Sequence, residues 1–123
     1  MRLLKSLATA TFIALFTAPL WALELVMVEQ DGCVYCEMWH EEIAEIYPKT
    51  AEGKFAPLRR VDLFELDESG VAFERGINFT PTFVVVEDGR ELTRLEGYPG
   101  EDFFWFLLTK MLTETTSFTA EGS

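Results

Sequence analysis

The stretch Leu25-Val26-Met27-Val28-Glu29-Gln30-Asp31-Gly32-Cys33-Val34-Tyr35-Cys36-Glu37-Met38-Trp39-His40 decides the fold. Its first four residues form a continuous apolar run, as in a strand covered on both faces in the middle of a parallel sheet. The polar residues Glu29 to Gly32 end it. From Cys36 the apolar positions recur at Trp39, Ile43, Ile46 and Tyr47, while Glu37, Glu41, Glu42 and Glu45 take the other faces. That spacing predicts an amphipathic helix, stopped by Pro48. A strand leading into a helix puts Cys33 at the helix N-terminus, where free N–H groups and the macrodipole stabilise a thiolate. Cys33 is therefore the candidate nucleophile. Cys36 begins the apolar stripe, so its sulfur is expected to face inward, shielded and placed to resolve a mixed disulfide formed by its neighbour.

Outward from this segment, residues 49–56 read as a connecting loop, and Leu58 to Phe64 as a second, less apolar strand suited to a sheet edge. Asp67 to Arg75 predicts two helical turns, with acids at the start and Gly76 placed for a left-handed cap. Thr82 to Glu87 is a β-branched run, followed by the turn pair Asp88-Gly89 and the alternating Glu91 to Glu96, which predicts a hairpin. After Gly97, Pro99 and Gly100, Glu101 to Leu112 reads as a terminal helix docked on the sheet. Residues 113–123, rich in Thr, Ser and Glu, lack periodicity and are expected to fray. The order βα, βα, ββα predicts one α/β domain over residues 23–112, with helices on both faces of the sheet and the first two strands parallel.

With 123 residues, 49% hydrophobic and 25% charged, the chain has room for one domain, and a two-domain enzyme is excluded. Arg2 and Lys5 precede the apolar run Leu7 to Phe16, and Ala22 restores small-residue character. This is the layout of a secretory leader over residues 1–22. The run is shorter than the roughly 20 residues that span a membrane, so cleavage after Ala22 is expected, an uncleaved amphipathic anchor being the alternative. The whole chain carries a net charge of −11, and loss of the leader would leave eight basic residues against 21 acidic ones, a net −13. Such a field repels nucleic acid and anionic lipid and favours partners with a basic or neutral docking surface.

Export places both cysteines in an oxidising compartment, where an even count ordinarily means a structural bridge. Cys33 and Cys36, however, would close a loop of only four residues, for which chain entropy supplies about 2 kcal/mol, less than a bridge between distant segments. The spacing points to chemistry instead. His40, one turn beyond Cys36, opens an alternative in which Cys33, Cys36 and His40 bind Zn²⁺ or Cu⁺ for delivery, although no second cysteine pair or further histidine exists to close a structural site. Phe103, Phe104, Trp105 and Phe106 exceed what one helix stripe can bury, so one of them, with Tyr98, could reach the surface as a docking patch.

A Cys-x-x-Cys after a strand in a βαβ unit is a redox signal. With Gly76-Ile77-Asn78-Phe79-Thr80-Pro81-Thr82, the apolar strand behind it and Asp88-Gly89, residues 25–112 resemble the thioredoxin-like superfamily. The resemblance implies its α/β fold, a mixed central sheet flanked by helices, here without the usual extra N-terminal strand. It also implies a cis bond at Pro81 against the two sulfurs, and a backbone at Thr80 that pairs with an extended substrate segment. No cofactor and no metal is implied. Four positions depart from the family: Gly32 replaces a tryptophan, Val34-Tyr35 replaces Gly-Pro, and Met27 takes the place of the buried acid associated with deprotonating the resolving thiol. Glu29 and Asp31 are the nearby candidate proton acceptors.

Leu25 to Gln30, Gly32-Cys33, Tyr35-Cys36, Thr80 to Phe83 and especially Leu95-Glu96-Gly97-Tyr98-Pro99-Gly100-Glu101-Asp102-Phe103-Phe104-Trp105 resemble more closely the periplasmic SoxS-type thioredoxins of bacterial sulfur-oxidation clusters. That resemblance implies a periplasmic reductant that keeps a cysteine of a sulfur-oxidation carrier protein usable, with a membrane thiol transporter as electron donor. Glu29, Asp31 and Glu37 near the thiols disfavour the thiolate while the helix dipole favours it, a balance that points to a reductant. A disulfide-introducing oxidant is the alternative.

Overall fold

The computed structural model describes residues 10, 11 and 22–120. The leader expected over residues 1–22 lies, apart from Ala10, Thr11 and Ala22, outside the described residues. Strand β1 (Leu23–Glu29) runs up the middle of a four-stranded mixed sheet of order β2-β1-β3-β4. The edge strand β2 (Leu58–Asp62) is parallel to it, whereas β3 (Thr82–Glu87) is antiparallel to β1 and to β4 (Arg90–Glu96). The central position of β1 explains its apolar run, because Leu25 and Met27 enter one core and Val26 and Val28 the other.

The first face is covered by helices. Helix α1 (Val34–Trp39) continues into a π-helical turn over His40–Ala44, a 3-10 turn follows at Tyr47–Lys49, and α2 (Ala51–Phe55) leads back to β2. The π turn absorbs one residue more than an α turn, so the buried positions are Cys36, Trp39, Ile43 and Tyr47, while Ile46 is exposed. Helix α3 (Glu101–Thr115) closes this core with Phe104, Leu108 and Leu112. Trp39, Phe83 and Phe104 meet with ring centroids 5.0–5.9 Å apart.

Three expectations are corrected. Residues 49–56 are not a loop: the Thr50 hydroxyl accepts the Gly53 N–H at 3.0 Å and caps α2, a helix of five residues, too short to leave a periodic signal. The described part of the tail, residues 113–120, does not fray as expected, because α3 runs on to Thr115 and Phe118 folds back to a ring-centroid distance of 5.1 Å from Phe55, buried, while residues 121–123 lie outside the described residues. The third correction concerns the second face. The expected helix over Asp67 to Arg75 does not form, and the cover there is a 3-10 segment (Leu63–Glu68) followed by an irregular stretch. Gly70 turns with φ +73°, and Val71, Phe73 and Ile77 lie against Val26, Val28, Val61, Val84 and Val86. Their two- and four-residue spacing suits an extended path better than a helix stripe.

An extended cover segment must find partners for its backbone outside itself. Strand β4 and the turn before it supply them. Ala72 donates to the Gly89 carbonyl at 2.7 Å and accepts from the Glu91 N–H at 3.1 Å. The Glu91 carboxylate accepts the Glu74 N–H at 3.1 Å, and the Arg94 guanidinium donates to the carbonyls of Arg75 and Gly76 at 2.9 and 3.0 Å.

Candidate functional site

Where β1 ends, Gln30, Asp31 and Gly32 turn the chain, Gly32 with φ +76°, a conformation that favours glycine. Cys33 caps α1 with extended backbone angles, and its sulfur accepts the Cys36 N–H at 3.2 Å. Cys33 and Cys36 are joined in a disulfide. The two sulfurs stand in unlike surroundings: Cys33 is half-buried at the helix start, whereas Cys36 is 4% exposed and belongs to the first-face core. Val34 and Tyr35 between them project into solvent.

A second loop comes alongside from fifty residues away. The Thr80–Pro81 peptide bond is cis, and Pro81 is buried at the start of β3. Three hydrogen bonds fix this loop: Gln30 Nε2 donates to Thr80 Oγ1 at 2.9 Å, the Thr82 hydroxyl to the Phe79 carbonyl at 2.5 Å, and the Gly97 N–H to the Pro81 carbonyl at 2.7 Å. Gln30 thus links the turn that carries Cys33 to the loop that carries Thr80. Sequence reading missed it, since a polar residue after a strand gives no sign of its partner.

Glu29 lies between Arg60 and His40. It accepts from Arg60 Nε at 3.1 Å and lies 2.9 Å from His40 Nε2. Burial pushes the Glu29 carboxyl up, but the hydrogen bonds from Arg60 and His40 outweigh burial and hold it below the usual carboxylate range. Asp31 is exposed on the turn. Of the two candidate acceptors, then, one is engaged in an ion-pair cluster and the other is solvated.

The metal-ligand alternative meets a different arrangement from the one it requires. The two sulfurs bond each other and His40 turns to Glu29, and among the described residues no cluster of three or more His, Cys, Asp or Glu side chains has ion-holding geometry. The aromatic patch also differs from expectation. Tyr98 is buried and donates to Glu42 at 2.7 Å, burial and that carboxylate pushing its phenol up. Phe104 is in the core, Trp105 stacks on Tyr47, and Phe103 and Phe106 are exposed.

Chemically, a half-buried cysteine at a helix start and a buried one a turn on, in a turn that Gln30 ties to the Thr80 loop, can carry out thiol–disulfide exchange. Residues 23–112 match the model of the thioredoxin-like domain family. The chain belongs to the thioredoxin-like family. Among solved structures, it is 47% identical to the periplasmic thioredoxin SoxS from Paracoccus pantotrophus in its reduced form, with a TM-score of 0.72, over 75% of this chain and 97% of that one. A thioredoxin of Fasciola hepatica, 22% identical with a TM-score of 0.54 over 72% of this chain and 80% of that one, shares the fold. A disulfide bond formation protein of Brevibacillus choshinensis is 32% identical over 77 residues, which make up 60% of each chain.

Proposed function

We propose that this thioredoxin-like protein is an exported thiol–disulfide oxidoreductase that reduces a cysteine of a sulfur-oxidation carrier protein. The observation that carries the reading is the unlike environment of the paired sulfurs, Cys33 half-buried at the start of α1 and Cys36 in the core. In the reduced protein the Cys33 thiolate attacks the partner's disulfide and one partner sulfur leaves as a thiolate. Cys36, having lost its proton to solvent, then attacks Cys33 Sγ, frees the second partner thiol and leaves the Cys33–Cys36 disulfide. Two electrons pass to the partner, and a membrane thiol transporter supplies two more to reduce the Cys33–Cys36 disulfide again. The Thr80 backbone pairs with the partner's extended segment. The export and the sulfur-oxidation partner rest on the likeness to SoxS, which covers nearly all of that chain.

Trapping tests both role and partner. Cys36→Ser, expressed with residues 1–22 in the native cell, is expected to accumulate one dominant disulfide-linked adduct through Cys33, and Cys33→Ser none. Non-reducing gels and mass identification of the adduct provide the readout. A single carrier protein supports the proposal, whereas a broad set of exported proteins would make the chain a general oxidant or isomerase. Adducts through Cys36 would reverse the roles.

A further inference from the structure

Glu91 and Arg94 form the least exposed ion pair among the described residues, with side chains 2% and 4% exposed. Arg94 grips the Glu91 carboxylate with Nε at 2.7 Å and Nη2 at 2.6 Å. Burial pushes the Glu91 carboxyl up, but Arg94 and the Glu74 N–H outweigh it and hold it below the usual range. Residues three apart on a regular strand point to opposite faces. Here a bulge intervenes: Val85 pairs with Thr93 and Val86 with Glu91, so Leu92 is the extra residue on β4. Arg94 opposite Val84 and Glu91 opposite Val86 consequently share the second face. Such a pair is a poor way to gain stability, since well-packed apolar side chains commonly serve as well or better. What it does supply is direction, through its bonds to Glu74, Arg75 and Gly76. From Gly76 only three residues lead to Thr80, which Gln30 holds from the other side.

We infer that Arg94 is a positioning residue for the protein substrate: locked by Glu91 and bonded to the Arg75 and Gly76 carbonyls, it holds the segment that presents Thr80 to an incoming extended chain. This deepens the reading of Thr80 proposed above and rests on it. A small disulfide without a peptide backbone has no use for Thr80 and does not feel the clamp.

The test offers two probes in excess to protein whose Cys33–Cys36 pair has been reduced and freed of reductant, insulin as a protein disulfide and 5,5′-dithiobis(2-nitrobenzoate) as a small one, and takes apparent KM and kcat from the dependence of the single turnover on probe concentration. Arg94→Met is expected to raise KM for insulin about tenfold, the equivalent of one or two lost hydrogen bonds to a positioned backbone. It leaves kcat and the rate with the small disulfide near wild type. Arg94→Lys, which keeps the charge beside Glu91 but lacks the forked donor geometry, is expected to shift KM in the same direction by less, and it decides the matter if Arg94→Met does not fold. Equal losses on both probes would make the pair merely structural, and an unchanged insulin KM in the folded variants would overturn the inference. Failure of the wild-type protein to reduce either probe would instead sink the oxidoreductase reading.

Discussion

Glu29, the last residue of β1 and four positions before Cys33, bonds both Arg60 and His40. Its carboxyl is held below the usual value of 4.5 by Arg60 and His40 against the opposing effect of burial. A carboxyl depressed in the folded state stabilises the fold above its ordinary value and stops doing so as the pH falls through the depressed one. Wild type is therefore expected to exceed Glu29→Gln in Tm at neutral pH, with the difference closing as the pH drops below about 4.5. A Tm difference constant from neutral to strongly acid pH would contradict the depressed value. At this scale the sequence was legible where function is local. Cys33 and Cys36 owe their contrast to a strand end and a helix stripe, both visible in neighbouring residues. Gln30 and Arg94 were invisible because their partners are set by distant loops and, for Arg94, by a bulge that breaks the period-two alternation used to assign faces.

Among the elements, α2 carries the sharpest sequence constraint. A Cβ on Gly53 would lie 1.8 Å from the Tyr47 carbonyl oxygen, whose phenol end donates to the Ala56 carbonyl. Glycine to alanine inside a helix ordinarily gains about 0.5–1 kcal/mol. Here backbone blocks the added methyl, and Gly53→Ala is expected to lose about 2 kcal/mol or more, in the range of overpacked cores. Urea denaturation reads the sign directly, and a gain would mean that the turn at Tyr47–Lys49 yields easily. The strands were readable from β-branched runs and the Asp88-Gly89 turn, and α3 from its length. The second-face helix was misread because acids before Val71 and a glycine at 76 imitate helix ends, while the extended path between them is maintained by β4.

Over the whole molecule the two sides of the sheet are closed differently. One carries helices and a cluster of interlocked aromatic rings, the other five valines under a 3-10 segment and an irregular strip. Amides whose partners belong to irregular or edge backbone open at lower free energy than those within a packed core. Hydrogen exchange is therefore expected to proceed through residues 71–77 well before Phe104 to Leu112, and simultaneous exchange of both would show one cooperative unit. Thr80 stands at the end of the earlier-opening strip. An extended partner paired there would brace that strip as a bolt braces a hinged door, so docking would register as slowed deuterium uptake across residues 71–77. Those residues carry no thiol. A footprint on them separates capture of the partner from electron transfer and allows binding to be followed even in a protein whose cysteines have both been replaced by serine.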